Sequence, residues 1–189
     1  LRAAIWERLE REGVAAFPRP IVGRIPNFRG AAAAAARLAA EPAFVAARTV
    51  KVNPDAPQLP LRLRALQAGK CVLVPTPRLR GGFFLLDPAR IAPAHWRAAA
   101  SIAGFARHGV PLTLDELPSI DLMVLGAVAV APDGARVGKG EGYAELEYAV
   151  LRTLGRLAAT TLLCTTIHDI QIVPAIPVEP FDGPVDIVA

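Results

Sequence analysis

The sequence predicts an α/β fold: a three-layer α/β/α sandwich, Rossmann-like, around a mostly parallel sheet. Two observations carry that expectation. Apolar runs of strand length, among them KCVLVP at residues 70–75 and IDLMVLGAVAVA at 120–131, alternate with helix-forming stretches along all 189 residues. Those runs are also continuous, which is the pattern of parallel strands covered on both faces. The length suits one domain, residues 1–189, with a substantial buried core.

Residues 3–11, AAIWERLER, set Ile5, Trp6 and Leu9 on one helical stripe, and Gly13 follows as a stop. FPRPIVGRIPNFRG (17–30) is an irregular, proline-rich connection carrying Arg19, Arg24 and Arg29. AAAAAARLAA (31–40) forms a helix on propensity alone. Residues 45–52 read as a strand, NPDAPQLP (53–60) as a turn-rich break, 61–67 as a short helix stopped by Gly69, and 70–75 as a buried strand. TPRLRGG (76–82) is a cationic loop and FFLLD (83–87) another short strand. Residues 88–118 are less periodic, with a helix expected near 95–100. The strongest strand spans 121–130. A helix over 145–157 and a strand over 161–167 follow, and QIVP (171–174) and VDIVA (185–189) are short β-like pieces.

The hydrophobic fraction is 53%, much of it alanine, and no stretch approaches the ~20 apolar residues that span a bilayer, so no membrane role is expected. Cys71 and Cys164 sit inside apolar β-like runs and read as small core hydrophobes. A disulfide framework or zinc site would need more cysteines at tighter spacing, and a reducing, cytoplasmic setting is expected. The formal net charge of +4 suits anionic ligands. That charge is too diffuse, and the 6% aromatic content too low, to expect a nucleic-acid surface. Oligomeric state is not legible in the sequence.

The chemistry concentrates in RVGKGEGYAELEY (136–148), behind the strongest strand. Gly138, Gly140 and Gly142 let backbone N–H groups approach a ligand without obstruction, and Lys139 adds a mobile charge. The helix that follows directs its positive end at the same place. The spacing is neither a P-loop, because Gly140 follows Lys139, nor the Rossmann G-x-G-x-x-G fingerprint. On spacing alone, a phosphate site and a structural strand-to-helix turn both stay open. Lys51 and Arg78/Arg80 also follow apolar runs and would converge on one rim of a parallel sheet. Arg24 and Arg29 bracket a stiff turn, IPNF, that would fold over it.

RVGKGEGYAELEY behind DLMVLGAVAV, with IPVEPFDGPVDIVA at 176–189, resembles the 5-formyltetrahydrofolate cyclo-ligase, or methenyltetrahydrofolate synthetase, family. FPRP at Phe17, RIPNF at Arg24, VPTPRLR at Val74 and IHD at Ile167 are similar to its divergent branch of methenyltetrahydrofolate synthetase domain-containing proteins. The resemblance covers nearly the whole chain and implies an ATP-dependent ring closure assisted by Mg²⁺. In that reaction the formyl oxygen of 5-formyltetrahydrofolate attacks the γ-phosphate of ATP, giving an imidoyl phosphate and ADP. N10 then adds to the activated carbon, and phosphate leaves as 5,10-methenyltetrahydrofolate forms. The protein's share is positioning and charge stabilisation.

Carried onto this sequence, the resemblance assigns Arg2, Arg136, Gly138, Lys139, Gly140, Glu141, Gly142 and Tyr143 to the nucleotide. Lys139, Arg78 and Arg80 would stabilise the transferred phosphoryl group, and Glu145 would meet Mg²⁺. Arg24, Lys51, Asn53 and Asp55 would hold the small-molecule substrate. His168 in IHD reads as a strand-end histidine with a structural hydrogen bond rather than a catalytic base.

The sequence departs from the pattern at two places. Active cyclo-ligases carry G-Y-Y-D-R where this chain reads Gly142-Tyr143-Ala144-Glu145-Leu146, and leucine supplies none of the donors of the arginine. Active members also place a folate-holding glutamate in a segment like E-V-D-T-R-P-L, where NPDAPQLPLRL offers only Asn53 and Asp55. Nucleotide binding is therefore expected to be better preserved than folate binding. Cyclisation of 5-formyltetrahydrofolate is expected to be weak or absent, with a divergent N-formyl or thiamin-related substrate as an option. The alternative is a nucleotide- or folate-binding regulatory protein that has lost the chemistry.

Overall fold

A computed structural model describes residues 1–178 and 183–189. The part of the C-terminal signature at 179–182 lies outside the described residues. In chain order the helices are α1 (Arg2–Arg11), α2 (Ala31–Ala40), α3 (Pro42–Ala46), α4 (Leu59–Gln67), α5 (Trp96–Ala99), α6 (Ile102–His108) and α7 (Tyr143–Thr153). The strands are β1 (Thr49–Val52), β2 (Cys71–Pro75), β3 (Phe83–Leu86), β4 (Val110–Leu112), β5 (Ile120–Leu125), β6 (Ala129–Val130), β7 (Arg136–Val137), β8 (Leu157–Thr165) and β9 (Ile187–Val188).

Seven of the strands form one sheet in the order β4-β3-β2-β1-β5-β8-β9. β2, β1, β5, β8 and β9 run parallel, and β3 is antiparallel to both of its neighbours. Successive side chains of a strand face opposite sides. Val50, Val52, Val72, Val74, Leu122 and Val124 therefore pack on one face, against Leu38 of α2, Leu61 and Ala65 of α4 and Phe105 of α6. Leu73, Met123, Leu125 and Leu163 pack on the other, with Leu151 of α7. The result is the expected α/β/α layering, with most helices on the first face.

The alanine run is a packed helix because Ala31, Ala34, Ala35 and Leu38 share one buried stripe, and its small side chains let α4 approach closely. A second cluster joins Ile5, Trp6 and Leu9 of α1 to Val128, Ala129 and Val173, so the N-terminal helix lies beside the β6–β7 hairpin.

Several boundaries differ from the sequence reading. The strand expected over 45–52 begins only at Thr49, because Pro42 opens α3 and buries Phe44 from a helical turn. The strand expected over 121–130 ends at Leu125, and residues 129–137 fold back as β6 and β7 around an Asp133-Gly134 turn. Ala135 donates its N–H to Asp133 at 3.0 Å within that turn. The glycine loop thus follows a hairpin rather than the central strand. α7 begins at Tyr143 and stops at Thr153, and β8 starts at Leu157. The aperiodic middle contains α5, α6 and the edge strand β4. Ile172 of QIVP makes a single bridge to Val130.

Candidate active site

β1 is followed by β2 on one side in the sheet and flanked by β5 on the other, which makes the β1/β5 junction a topological switch point. A cleft of about 800 Å³ opens there, at the carboxyl ends of β1, β2 and β5, where Asn53, Thr76 and Gly126 line it. That volume lies within the range of small-molecule and cofactor sites.

The glycine loop forms one wall. Gly140 and Gly142 have positive φ values of 99° and 73°, a region open to glycine at little cost, and Gly142 caps α7 so that Tyr143 opens the helix. Arg2, from the first turn of α1, lines the cleft, donates its Nε–H to the Gly138 carbonyl at 2.6 Å and braces the loop. Arg136 passes beneath the loop. One end of its guanidinium donates to the Gly126 carbonyl at 2.9 Å, the other donates to Glu145, and its Nε has no partner among the described residues. Glu141 at the rim accepts from both Lys139 at 2.7 Å and Arg78 at 3.2 Å. The hydrogen bond from Lys139, with the Arg78 charge behind it, holds the Glu141 carboxyl below its ordinary range.

Charged groups also lie at and under the floor. Lys51 is wholly buried between Val50 and Val52 on the α7 face and donates to both Asn53 and Glu147. Burial lowers Lys51 and raises Glu147, while their mutual attraction opposes both shifts. Arg62 of α4 donates to the carbonyls of Asn53, Asp55 and Ala100 and so clamps the turn after β1. The Asp55 side chain faces the cleft, and burial raises its carboxyl against the pull of Lys139, Arg62 and Lys51.

The cleft therefore brings together Arg2, Arg24, Asn53, Asp55, Arg78, Arg136, Glu145 and the whole glycine loop with Tyr143. Two expected residues fall outside it. Lys51 supports the floor from below, because the alternation of β1 points it at α7 and Glu147 neutralises it there. Arg80 is exposed and does not line the cleft, since the chain turns through left-handed backbone at Arg78 and Leu79. Glu145, expected at a metal, is held by Arg136. Among the described residues no group of three or more His, Cys, Asp or Glu is arranged to hold a metal ion.

Sequence reasoning passed over Glu147, Arg62 and Ile102. The first two carry a signal, since each is a charge on a buried helical stripe (Glu147 with Leu151, Arg62 with Leu61, Ala65 and Leu66). Ile102 lies in the aperiodic middle and carries none.

The profile of the 5-formyltetrahydrofolate cyclo-ligase family matches residues 1–189. The chain belongs to that family. A Mus musculus methenyltetrahydrofolate synthase domain-containing protein is 46% identical over 190 residues, covering 98% of this chain and 51% of its own length. The Homo sapiens protein of the same description is 42% identical over 190 residues, covering 98% and 50%. The chain thus spans about half the length of these relatives. Among solved structures, the chain resembles an Aquifex aeolicus 5,10-methenyltetrahydrofolate synthetase with a TM-score of 0.55 and 17% identity, over 100% of this chain and 88% of the other. A Mycoplasma pneumoniae 5,10-methenyltetrahydrofolate synthetase aligns with a TM-score of 0.56 and 12% identity, over 99% and 96%. These two likenesses show a shared cyclo-ligase fold.

Within this cyclo-ligase fold the two departures at the start of α7 are unequal. Ala144 lines the cleft, whereas Leu146 is 49% exposed and does not. His168 accepts from the Ile170 N–H at 3.2 Å through Nδ1 and meets the Phe28 ring edge-on, a capping role. Cys71 and Cys164 are unpaired, and burial pushes the Cys164 thiol up to about 12, far from reactivity. Among the described residues no helix is long and apolar enough to cross a membrane.

Proposed function

We propose that the cleft performs ATP-dependent cyclo-ligase chemistry on 5-formyltetrahydrofolate or a related N-formyl substrate. The observation that carries this reading is that the glycine loop with Lys139 and the turn after β1 with Asn53 and Asp55 line one and the same cleft. The loop N–H groups and Lys139 hold the phosphates, with Arg136 beneath and Arg78 at the rim. Asn53 and Asp55 offer a hydrogen-bonding edge to a heterocycle, and Arg24 guards the mouth. Attack of the formyl oxygen on the γ-phosphate releases ADP, and ring closure by the neighbouring amine releases phosphate. Both steps depend on alignment and on cations placed at the transferred group.

Mg²⁺ fits only as the nucleotide's companion, because it takes one or two carboxylates together with phosphate oxygens and water. Glu145 and Asp55 are the carboxylates on the cleft wall that would meet it, and it would supply further charge neutralisation. A second reading, ligand binding without turnover, draws support from Ala144, which leaves open the space that a tyrosine would fill.

Calorimetric titration of ATP and of 5-formyltetrahydrofolate, singly and together, tests the shared cleft. Binding of each in the presence of the other is expected. Mutual exclusion would contradict the assignment of both ligands to this cleft.

A further inference from the structure

The cations at the cleft rim are already occupied by the protein's own chain. Glu141 accepts from Lys139 at 2.7 Å and from Arg78 at 3.2 Å, so one carboxylate sits between the two positive groups best placed to meet a phosphate. Lys139 reaches it from two residues away along the loop, and Arg78 from the loop after β2. The contact therefore ties two walls of the cleft together across its mouth. Gly140 and Gly142 flank Glu141 with positive φ, which sets it on a tight turn of the loop. Arg136 beneath is likewise engaged, by Glu145.

We infer that Glu141 is an internal competitor for the anion position, a latch that an incoming ligand must displace from Lys139 and Arg78. This deepens the nucleotide reading above and rests on it for the identity of the ligand, though not for the latch itself. Displacement sets a threshold that an anion's own contacts must exceed. A mono-anion exchanges one carboxylate-like contact for another and gains little. A polyphosphate offers more charge and more acceptor oxygens, and charge-assisted bonds to several donors exceed what one carboxylate makes. The latch therefore lowers the apparent affinity of every such anion by the same factor, so that weakly held singly charged ions no longer bind at modest concentration while polyphosphates still do.

The test compares the intact protein with Glu141→Gln, which removes the charge, and Glu141→Asp, which keeps the charge on a shorter arm. Metal-free tripolyphosphate and Mg-ATP are titrated against each. Glu141 is exposed, so the variants are expected to fold, and melting curves check this. Two solvent-accessible ion pairs are weak contacts, so Glu141→Gln is expected to bind tripolyphosphate roughly three- to tenfold more tightly, with Glu141→Asp between it and the unmodified protein. The same gain for Mg-ATP supports latch and nucleotide together. Tighter tripolyphosphate with no binding of ATP by any of the proteins supports the latch and overturns the nucleotide reading. Equal or weaker binding of both ligands by Glu141→Gln overturns the latch while leaving ATP binding intact. Matching affinities for Glu141→Asp and the unmodified protein, beside a tighter Glu141→Gln, reduce Glu141 to a diffuse charge and also overturn it. Binding of neither ligand by any variant overturns both.

Discussion

Lys51 on β1 donates to Glu147 on α7, and this buried ion pair joins the sheet to the helix that carries the glycine loop. Asn53, at the cleft floor, accepts from the same ammonium. Removing either charge leaves the other out of water without its partner. Lys51→Met and Glu147→Gln should each lose about 3–5 kcal/mol of stability, whereas the double change Lys51→Met with Glu147→Leu should recover most of it. Denaturant titration at neutral pH measures all three. Single variants as stable as the parent would mean that water reaches the pair.

Asp55 gives the cleft a pH signature. Burial raises its folded-state pKa above that of the unfolded chain. On acidification the folded protein therefore takes up this proton first, and the cost of the ionised buried group, present at neutral pH, is relieved. Stability from this group rises as pH falls from the raised value toward the ordinary range near ~4. Asp55→Asn should melt above the parent at pH 7, with the gap closing as pH approaches that range, and should bind substrate less well. A gap that widened on acidification would reverse the sign and contradict the assignment.

Lys139→Ala should weaken ATP roughly ten- to hundredfold, the scale of a lost charged hydrogen bond, with less effect on a pterin-type ligand. Calorimetry with both ligands checks this, and an undiminished ATP affinity would remove Lys139 from the phosphate site.

The two positions that depart from the active cyclo-ligase pattern should differ in effect. Ala144 lines the cleft and Leu146 faces solvent. Ala144→Tyr should carry most of any gain in turnover, and Leu146→Arg should add little. Rates for the two single variants and the double variant decide this. A gain confined to Leu146→Arg would place the reacting groups elsewhere.

Much of this architecture is legible in the chain. Continuous apolar runs mark β2, β5 and β8 as interior strands, and the glycine-lysine loop marks the cleft wall. The same continuity hides the end of β5 at Leu125, because Ala127 to Val130 stay apolar, Val128 and Ala129 in the cluster beside α1 and Ala127 and Val130 in the core on the α7 face. The Asp133-Gly134 turn was the available cue. The floor is harder to foresee. Glu147 shares a helical stripe with Leu151, which marks it as buried, but its partner Lys51, 96 residues away, is met only once the sheet packs against α7. Arg80 differs from Arg78 only through the backbone turn between them, which spacing does not encode.

ADP release and methenyl absorbance, followed in one reaction with 5-formyltetrahydrofolate present and absent, show whether the cleft couples ATP to ring closure. With such coupling, ADP release should depend on the folate, in step with methenyl product, slow in the unmodified protein and faster in Ala144→Tyr. A 1 Å misplacement of reacting groups costs on the order of a hundredfold in rate, so the slow phase calls for enzyme in stoichiometric amounts. ADP release indifferent to the folate, with no methenyl absorbance from either protein, would contradict it.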